Sequence, residues 1–169
     1  MTTISDIESQ GLLQRFRVQL YPNEYEERAM YITPNAQSWL QTTLPTLVTS
    51  IAEGKNAPDQ QIDEFFHDFI SGEKLICSNY RDLREITPLK REIWELKTPD
   101  IRIIGWFYTK KTFICTDIDS KNRIQVQLKQ NNINLYDIYS LNAVRIRDSF
   151  NLSQPISDTR QDLNNELCF

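Results

Sequence analysis

Histidine is almost missing from this chain: His67 is the single copy in 169 residues. A scheme built on a histidine base has one place to stand, and the spacing of its neighbours puts His67 on a polar face of a helix. Proton transfer and charge stabilisation therefore fall to Arg, Lys, Tyr, Asp and Glu. Cysteine is scarce as well. Cys77, Cys115 and Cys168 are odd in number and far apart, with no CxxC pair or Cys/His cluster. A structural zinc site is excluded, and reduced thiols are expected rather than a disulfide framework. No run approaches the roughly 18 apolar residues that cross a bilayer. The opening MTTISDIESQ has neither the basic nor the apolar region of a secretory leader. A cytoplasmic chain with no membrane partner is the expectation.

What is present is an ordinary globular composition, 40% hydrophobic and 25% charged, long enough to bury one real core. Its charge is uneven. Residues 1–78 carry 5 Lys/Arg against 11 Asp/Glu, residues 79–147 carry 13 against 8, and residues 148–169 carry 1 against 4. A basic middle between acidic ends suits a surface that faces a polyanion. The overall pI near 5.1 argues against a general nucleic-acid coat protein.

The first ten residues read as loosely ordered. Residues 12–21 alternate Phe16, Val18 and Leu20 with Arg15, Arg17 and Gln19, the period of a half-buried strand. The acidic run Glu24, Glu26, Glu27 reads as a solvated turn. Thr33-Pro34 opens a helix by capping and by proline at its first position. Trp39, Leu40, Leu44 and Leu47 form its stripe, Pro45 interrupts it, and it ends near Gly54. After Asp59, the residues Ile62, Phe65, Phe66, Phe69 and Ile70 recur at helical spacing, with Gly72 as the stop.

From Tyr80 the pattern turns to strands. Residues 93–97, 101–108 and 112–117 are joined at Thr98-Pro99-Asp100 and at Lys110-Lys111. Residues 117–122 read as a polar loop. Ile124, Val126 and Leu128 alternate with polar residues, which predicts a fourth strand. Residues 135–150 fit a helix with Tyr136, Tyr139 and Ala143 on one stripe. The order gives an α+β class: an N-terminal strand and two helices packed on one face of an antiparallel meander, with a C-terminal helical extension. Residues 1–150 are expected to form one domain and 151–169 a polar tail, mobile or used for docking.

The meander also carries a resemblance. Trp94-Glu95-Leu96-Lys97, the turn with Pro99-Asp100, then Ile101-Arg102-Ile103-Ile104 and an aromatic run resemble the RelE/HigB superfamily of bacterial toxins, in particular its phage-associated HigB-type branch. The likeness is good over residues 83–117, weak over 12–82 and poor beyond 120. It implies a RelE-like fold and an endoribonuclease that cleaves messenger RNA on the ribosome. Such enzymes work without metal, cofactor or essential histidine and are neutralised by a cognate antitoxin. Cleavage beside a ribose needs the 2′-hydroxyl to attack its neighbouring phosphate, while cations stabilise the added negative charge.

On that resemblance Arg102 is the transition-state cation. Glu95 either orients Arg102 or accepts the proton, and Tyr108 stacks on a base or donates a proton. Lys90, Arg91, Lys97, Lys110, Lys111 and Arg123 are the candidate RNA-backbone contacts.

Two departures keep a second reading open. Where the family often has basic or histidine-bearing residues at the end of its last strand, this chain reads Ile114-Cys115-Thr116-Asp117-Ile118-Asp119, with Lys121 and Arg123 just beyond as possible substitutes. The chain also extends well past residue 120. Both suit a non-catalytic phage or mobile-element protein on a toxin-like fold that binds a host protein or nucleoprotein complex. A magnesium-dependent nuclease would have to use Asp117/Asp119, or Asp63/Glu64 with Asp68, and neither has a recognisable ligand spacing.

Overall fold

The computed structural model describes residues 2–48, 56–78, 81–86, 92–152 and 160–168. In chain order its elements are α1 (Ile4–Ser9), β1 (Gln14–Phe16), β2 (Ala29–Ile32), α2 (Pro34–Thr42), α3 (Pro58–Ser71), β3 (Leu83–Glu85), β4 (Trp94–Lys97), β5 (Ile101–Thr109), β6 (Thr112–Ser120), α4 (Lys121–Asn131), α5 (Leu135–Phe150) and α6 (Arg160–Leu167). The strands form one six-stranded sheet in the order β1-β2-β6-β5-β4-β3. β2 runs parallel to β6, and every other neighbouring pair is antiparallel. The class is α+β with a mixed sheet, and the expected antiparallel meander is its central part.

Helices cover both faces of this sheet, not one. Along β5 the side chains of Ile101, Ile103 and Phe107 enter a core shared with Phe66 and Phe69 of α3, while Ile104 and Trp106 enter a second core with Ala143, Val144 and Phe150 of α5. A strand apolar on both sides must be buried on both sides, and this is why the meander reads as an almost unbroken hydrophobic run. Gly105 lies at a register shift between β5 and β6. A β-carbon there would collide with the backbone of Ile114 and Cys115, so only glycine permits this close approach.

The helix starts follow the local chemistry. The Thr33 hydroxyl accepts from the Ala36 amide at 3.3 Å and Pro34 occupies the first turn. Pro45 falls in a short 3-10 turn beyond the end of α2. Ala57, not the expected Asp59, is the N-cap of α3, Asp59 lies in its first turn, and the helix ends at Gly72 with φ 93°. The expected end of the preceding segment near Gly54 lies outside the described residues.

Other expectations are corrected. The first residues are not loose: Thr3 and Asp6 form a capping box that starts α1. Residues 124–129 are helix, not strand. The Ser120 hydroxyl accepts from the Arg123 amide at 3.1 Å, which starts α4 directly at the end of β6. Only Ile124 of the alternating apolar trio is buried, and three residues do not separate a period of two from one of 3.6. The predicted loop at 117–122 is therefore strand followed immediately by helix.

The polar tail is docked. Leu163 and Leu167 of α6 are buried in the α3-side core. The Arg28 guanidinium donates to the carbonyls of Phe69 (3.2 Å), Gly72 (3.2 Å), Glu73 (2.8 Å) and Glu166 (3.2 Å). One buried cation thus satisfies carbonyls at the ends of both α3 and α6, groups that helix geometry leaves open. Cys77 and Cys168 form a disulfide across a sequence separation of 91 residues, with Cα atoms 5.5 Å apart. This corrects the expectation of three free thiols. Cys115 alone is free, and it is buried. Among the described residues no helix is long and apolar enough to cross a membrane.

Candidate functional site

Strand alternation sends Arg84, Glu95, Lys97 and Arg102 to the face covered by α5, opposite Leu83, Trp94, Leu96, Ile101 and Ile103. With Lys121, Ile124 and Gln125 of α4 and Tyr136 of α5 they line a cleft of about 250 Å³. Sheet, first turn of α4 and first turn of α5 are its three walls. The turn below is fixed by Gln61 of α3: its side chain donates to the Asp100 carboxylate at 2.9 Å and accepts from the Thr98 hydroxyl at 2.9 Å and the Asp100 amide at 3.0 Å. The Lys121 amide then donates to the Asp100 carbonyl at 2.7 Å, which ties the start of α4 to the start of β5.

Glu95 lies at the back of the cleft, with its side chain 1% exposed. Its Oε1 is 2.7 Å from Nε of Arg84, the residue opposite it on β3. The Arg84 guanidinium also stands over the Tyr136 ring, 5.1 Å from its centroid, a favourable cation–π geometry. Glu95 Oε2 is buried and has no hydrogen-bond partner among the described residues. Burial, then the nearby Glu95 carboxylate, pushes the Tyr136 phenol up to about 12, so it stays protonated at neutral pH.

The cations are in excess. Lys97 and Arg102 face each other directly across β4 and β5, and like charges at such positions destabilise a sheet. Arg102 spends donors on the carbonyls of Thr98 (2.7 Å) and Ile101 (2.9 Å). Its neighbour on β6 is Asp119, whose carboxylate is already engaged by Arg123, by the Tyr139 hydroxyl at 2.5 Å and by the Ser120 amide at 2.8 Å. Among the described residues Lys97, Arg102 and Lys121 form no ion pair within 4.0 Å. Burial, with Arg102 and Arg84 adding to it, lowers the Lys97 ammonium from its ordinary value. The positive end of the α4 dipole lies at the same cleft. The cleft thus carries four cationic side chains, Arg84, Lys97, Arg102 and Lys121, against the one carboxylate of Glu95.

Sequence reasoning placed Glu95, Lys97 and Arg102 here but paired Glu95 with Arg102. The carboxylate contacts Arg84 instead, because those two stand in register on β3 and β4. Tyr108 is six residues along β5 from Arg102, about 20 Å away at strand rise, and packs in the α5-side core. Lys110 and Lys111 lie at that same far end, where Lys111 contacts Glu27 at 3.7 Å and Glu166 at 3.9 Å. Arg123 is beside the cleft but committed to Asp119 and Tyr139. Lys90 and Arg91 lie outside the described residues.

Arg84 and Tyr136 were not singled out as site residues. Tyr136 was visible only as one position of a helical stripe, and Arg84 lies on β3, a three-residue strand that the sequence does not announce.

Among the described residues no group of three or more His, Cys, Asp or Glu side chains is placed to share a metal ion. Asp117 accepts instead from Asn35 at 3.2 Å and Asn142 at 3.0 Å. Burial raises its carboxyl above the usual range. No protein-family model, curated protein or solved structure matches this chain.

Proposed function

We propose that the chain is a metal-independent endoribonuclease of the toxin type, with β4–β6 as a RelE-like centre and the cleft under α4 and α5 as its active site. One observation carries this reading: three cations without a carboxylate partner among the described residues, Lys97, Arg102 and Lys121, line one cleft with Glu95 and Tyr136. Each part has a role. The cations hold the scissile phosphate and stabilise its added charge in the transition state. Glu95 takes the proton of the 2′-hydroxyl as that oxygen attacks phosphorus. Tyr136 gives a proton to the departing 5′-oxygen. The products are a 2′,3′-cyclic phosphate and a free 5′-hydroxyl. Tyr136 replaces Tyr108 in this scheme because it lines the cleft.

The test uses the purified chain with messenger RNA in a chelating buffer, alone and with ribosomes. Cleavage leaving cyclic-phosphate ends is expected, abolished by a single 2′-deoxy substitution at the cut and reduced at least 100-fold in Arg102→Ala. Intact RNA in every condition sinks the enzyme reading.

A second reading rests on the burial of Glu95 and its contact with Arg84. A carboxylate held this way suits a site that binds an anionic partner without cutting it. The chain is then a phage or mobile-element interaction protein for a host protein or nucleoprotein complex. Retention of RNA without product, weakened by Lys121→Ala, is its signature.

A further inference from the structure

We infer that the outer face of α5 pairs with a second copy of this chain in an antiparallel, two-fold arrangement centred on Leu141. Four exposed large aliphatic side chains fall on the α4–α5 segment: Leu128, Ile133, Ile138 and Leu141, each between 40% and 49% exposed. Ile138 and Leu141 are three apart on one helix and share its outward face. The opposite face of α5, with Leu135, Ala143, Val144 and Phe150, is already spent on the sheet. The outward residues therefore have no role in this chain's own core.

The charges on this face say what covers it. Asp137, Leu141 and Arg145 form one i, i+4, i+8 ridge, with the aliphatic residue between opposite charges. At 1.5 Å rise per residue Asp137 lies about 6 Å to one side of Leu141 and Arg145 about 6 Å to the other. Turning an identical helix end for end about Leu141 lays Asp137 of each copy against Arg145 of the other. The ridge is its own electrostatic complement, as an isologous interface requires. Within the chain neither residue is spoken for: α5's ion pair among the described residues joins Arg147 to Asp148, and Asp137 and Arg145 take part in none. Ile138, three residues from Leu141 on the same face, then adds apolar area beside the crossing point.

The inference is independent of the proposed activity, because the anion cleft uses the inward residue Tyr136 and leaves Asp137, Leu141 and Arg145 aside. The test is sedimentation equilibrium across a concentration series on the full, oxidised chain. The wild type is expected to dimerise. Arg145→Asp sets aspartates against aspartates and Asp137→Arg sets arginines against arginines, so each weakens the dimer at least tenfold. The double variant Asp137→Arg/Arg145→Asp restores opposite charges and returns affinity to within about threefold of wild type. Leu141→Asp is expected to be monomeric. All these positions lie on the surface, and an unchanged circular dichroism spectrum shows that each variant is folded. A wild type that stays monomeric throughout, or a double variant no stronger than the singles, overturns the inference.

Discussion

Arg84 and Glu95 stand opposite each other on β3 and β4, 2.7 Å apart, with side chains 37% and 1% exposed. The carboxylate is the dependent partner, since the arginine keeps solvent and the Tyr136 ring. Arg84→Met is therefore expected to cost about 3 kcal/mol, because it leaves a buried charge without its counter-charge. Glu95→Gln removes that charge and costs less. The double variant recovers most of the loss suffered by Arg84→Met. Urea unfolding of the four proteins measures the coupling, and simple additivity of the single changes rejects it.

Gly105 leaves no room for a side chain between β5 and β6. Gly105→Ala forces the β5–β6 backbones apart at the register shift. A loss of about 3 kcal/mol or more is expected, at the upper end of overpacking costs because the obstacle is main chain. Gly11, with open space around its missing side chain, is the control: Gly11→Ala costs only the strain of its φ of 71°, about 1 kcal/mol.

The disulfide predicts a thiol count. Native oxidised protein is expected to show no thiol reactive toward a bulky reagent, one after unfolding, from Cys115, and three after unfolding and reduction. Three thiols without a reductant would contradict the pairing. Closing so long a loop restricts the unfolded chain, so Cys77→Ser is expected to lower stability by about 4 kcal/mol.

His67 ties α3 to the turn before β2. Its Nε2 lies 2.9 Å from Glu24 and its Nδ1 3.4 Å from Asp68. Burial lowers its pKa, but the hydrogen bonds and charges of Asp68 and Glu24 outweigh this, so the net shift is upward from 6.5. A raised folded-state pKa means that protonation stabilises the fold. That contribution is complete below 6.5 and is lost as pH rises through the folded value. His67→Gln should lower the melting temperature at about pH 5.5 and change it little at about pH 8.5. Equal effects at both values reject the linkage.

How much of this was legible depended on how local each signal was. The stripe from Ile62 to Ile70 with its glycine stop, and the hairpin through Lys110-Lys111, are written in neighbouring residues. Glu95, Lys97 and Arg102 were picked out through the resemblance of the meander, and the register of β4 and β5 puts them on one face. β2 and β3 are four and three residues long and exist because longer strands pair with them, so no periodicity announces them. Arg84 was hidden with β3. The bond between Cys77 and Cys168 depends on α6 returning to the core, and the buried leucines that bring it back, Leu163 and Leu167, are too few to mark a helix among polar residues. Tyr136 reads as packing until α5 is placed over the sheet.

The parallel pairing of β2 with β6 sets a timetable for synthesis. At its end the Thr33 hydroxyl donates to the Thr116 carbonyl, 83 residues further on. At translation speeds the strand that β2 needs follows it by roughly 4–16 s. During that interval β1 and β2 lack the strand that joins them to the sheet, and a two-stranded ribbon alone is too small to be stable in water. Contacts this distant in sequence also slow folding after release. The early part of the chain is thus a dependent of its own later part, and a nascent chain halted before β6 would be exposed to proteases and chaperones.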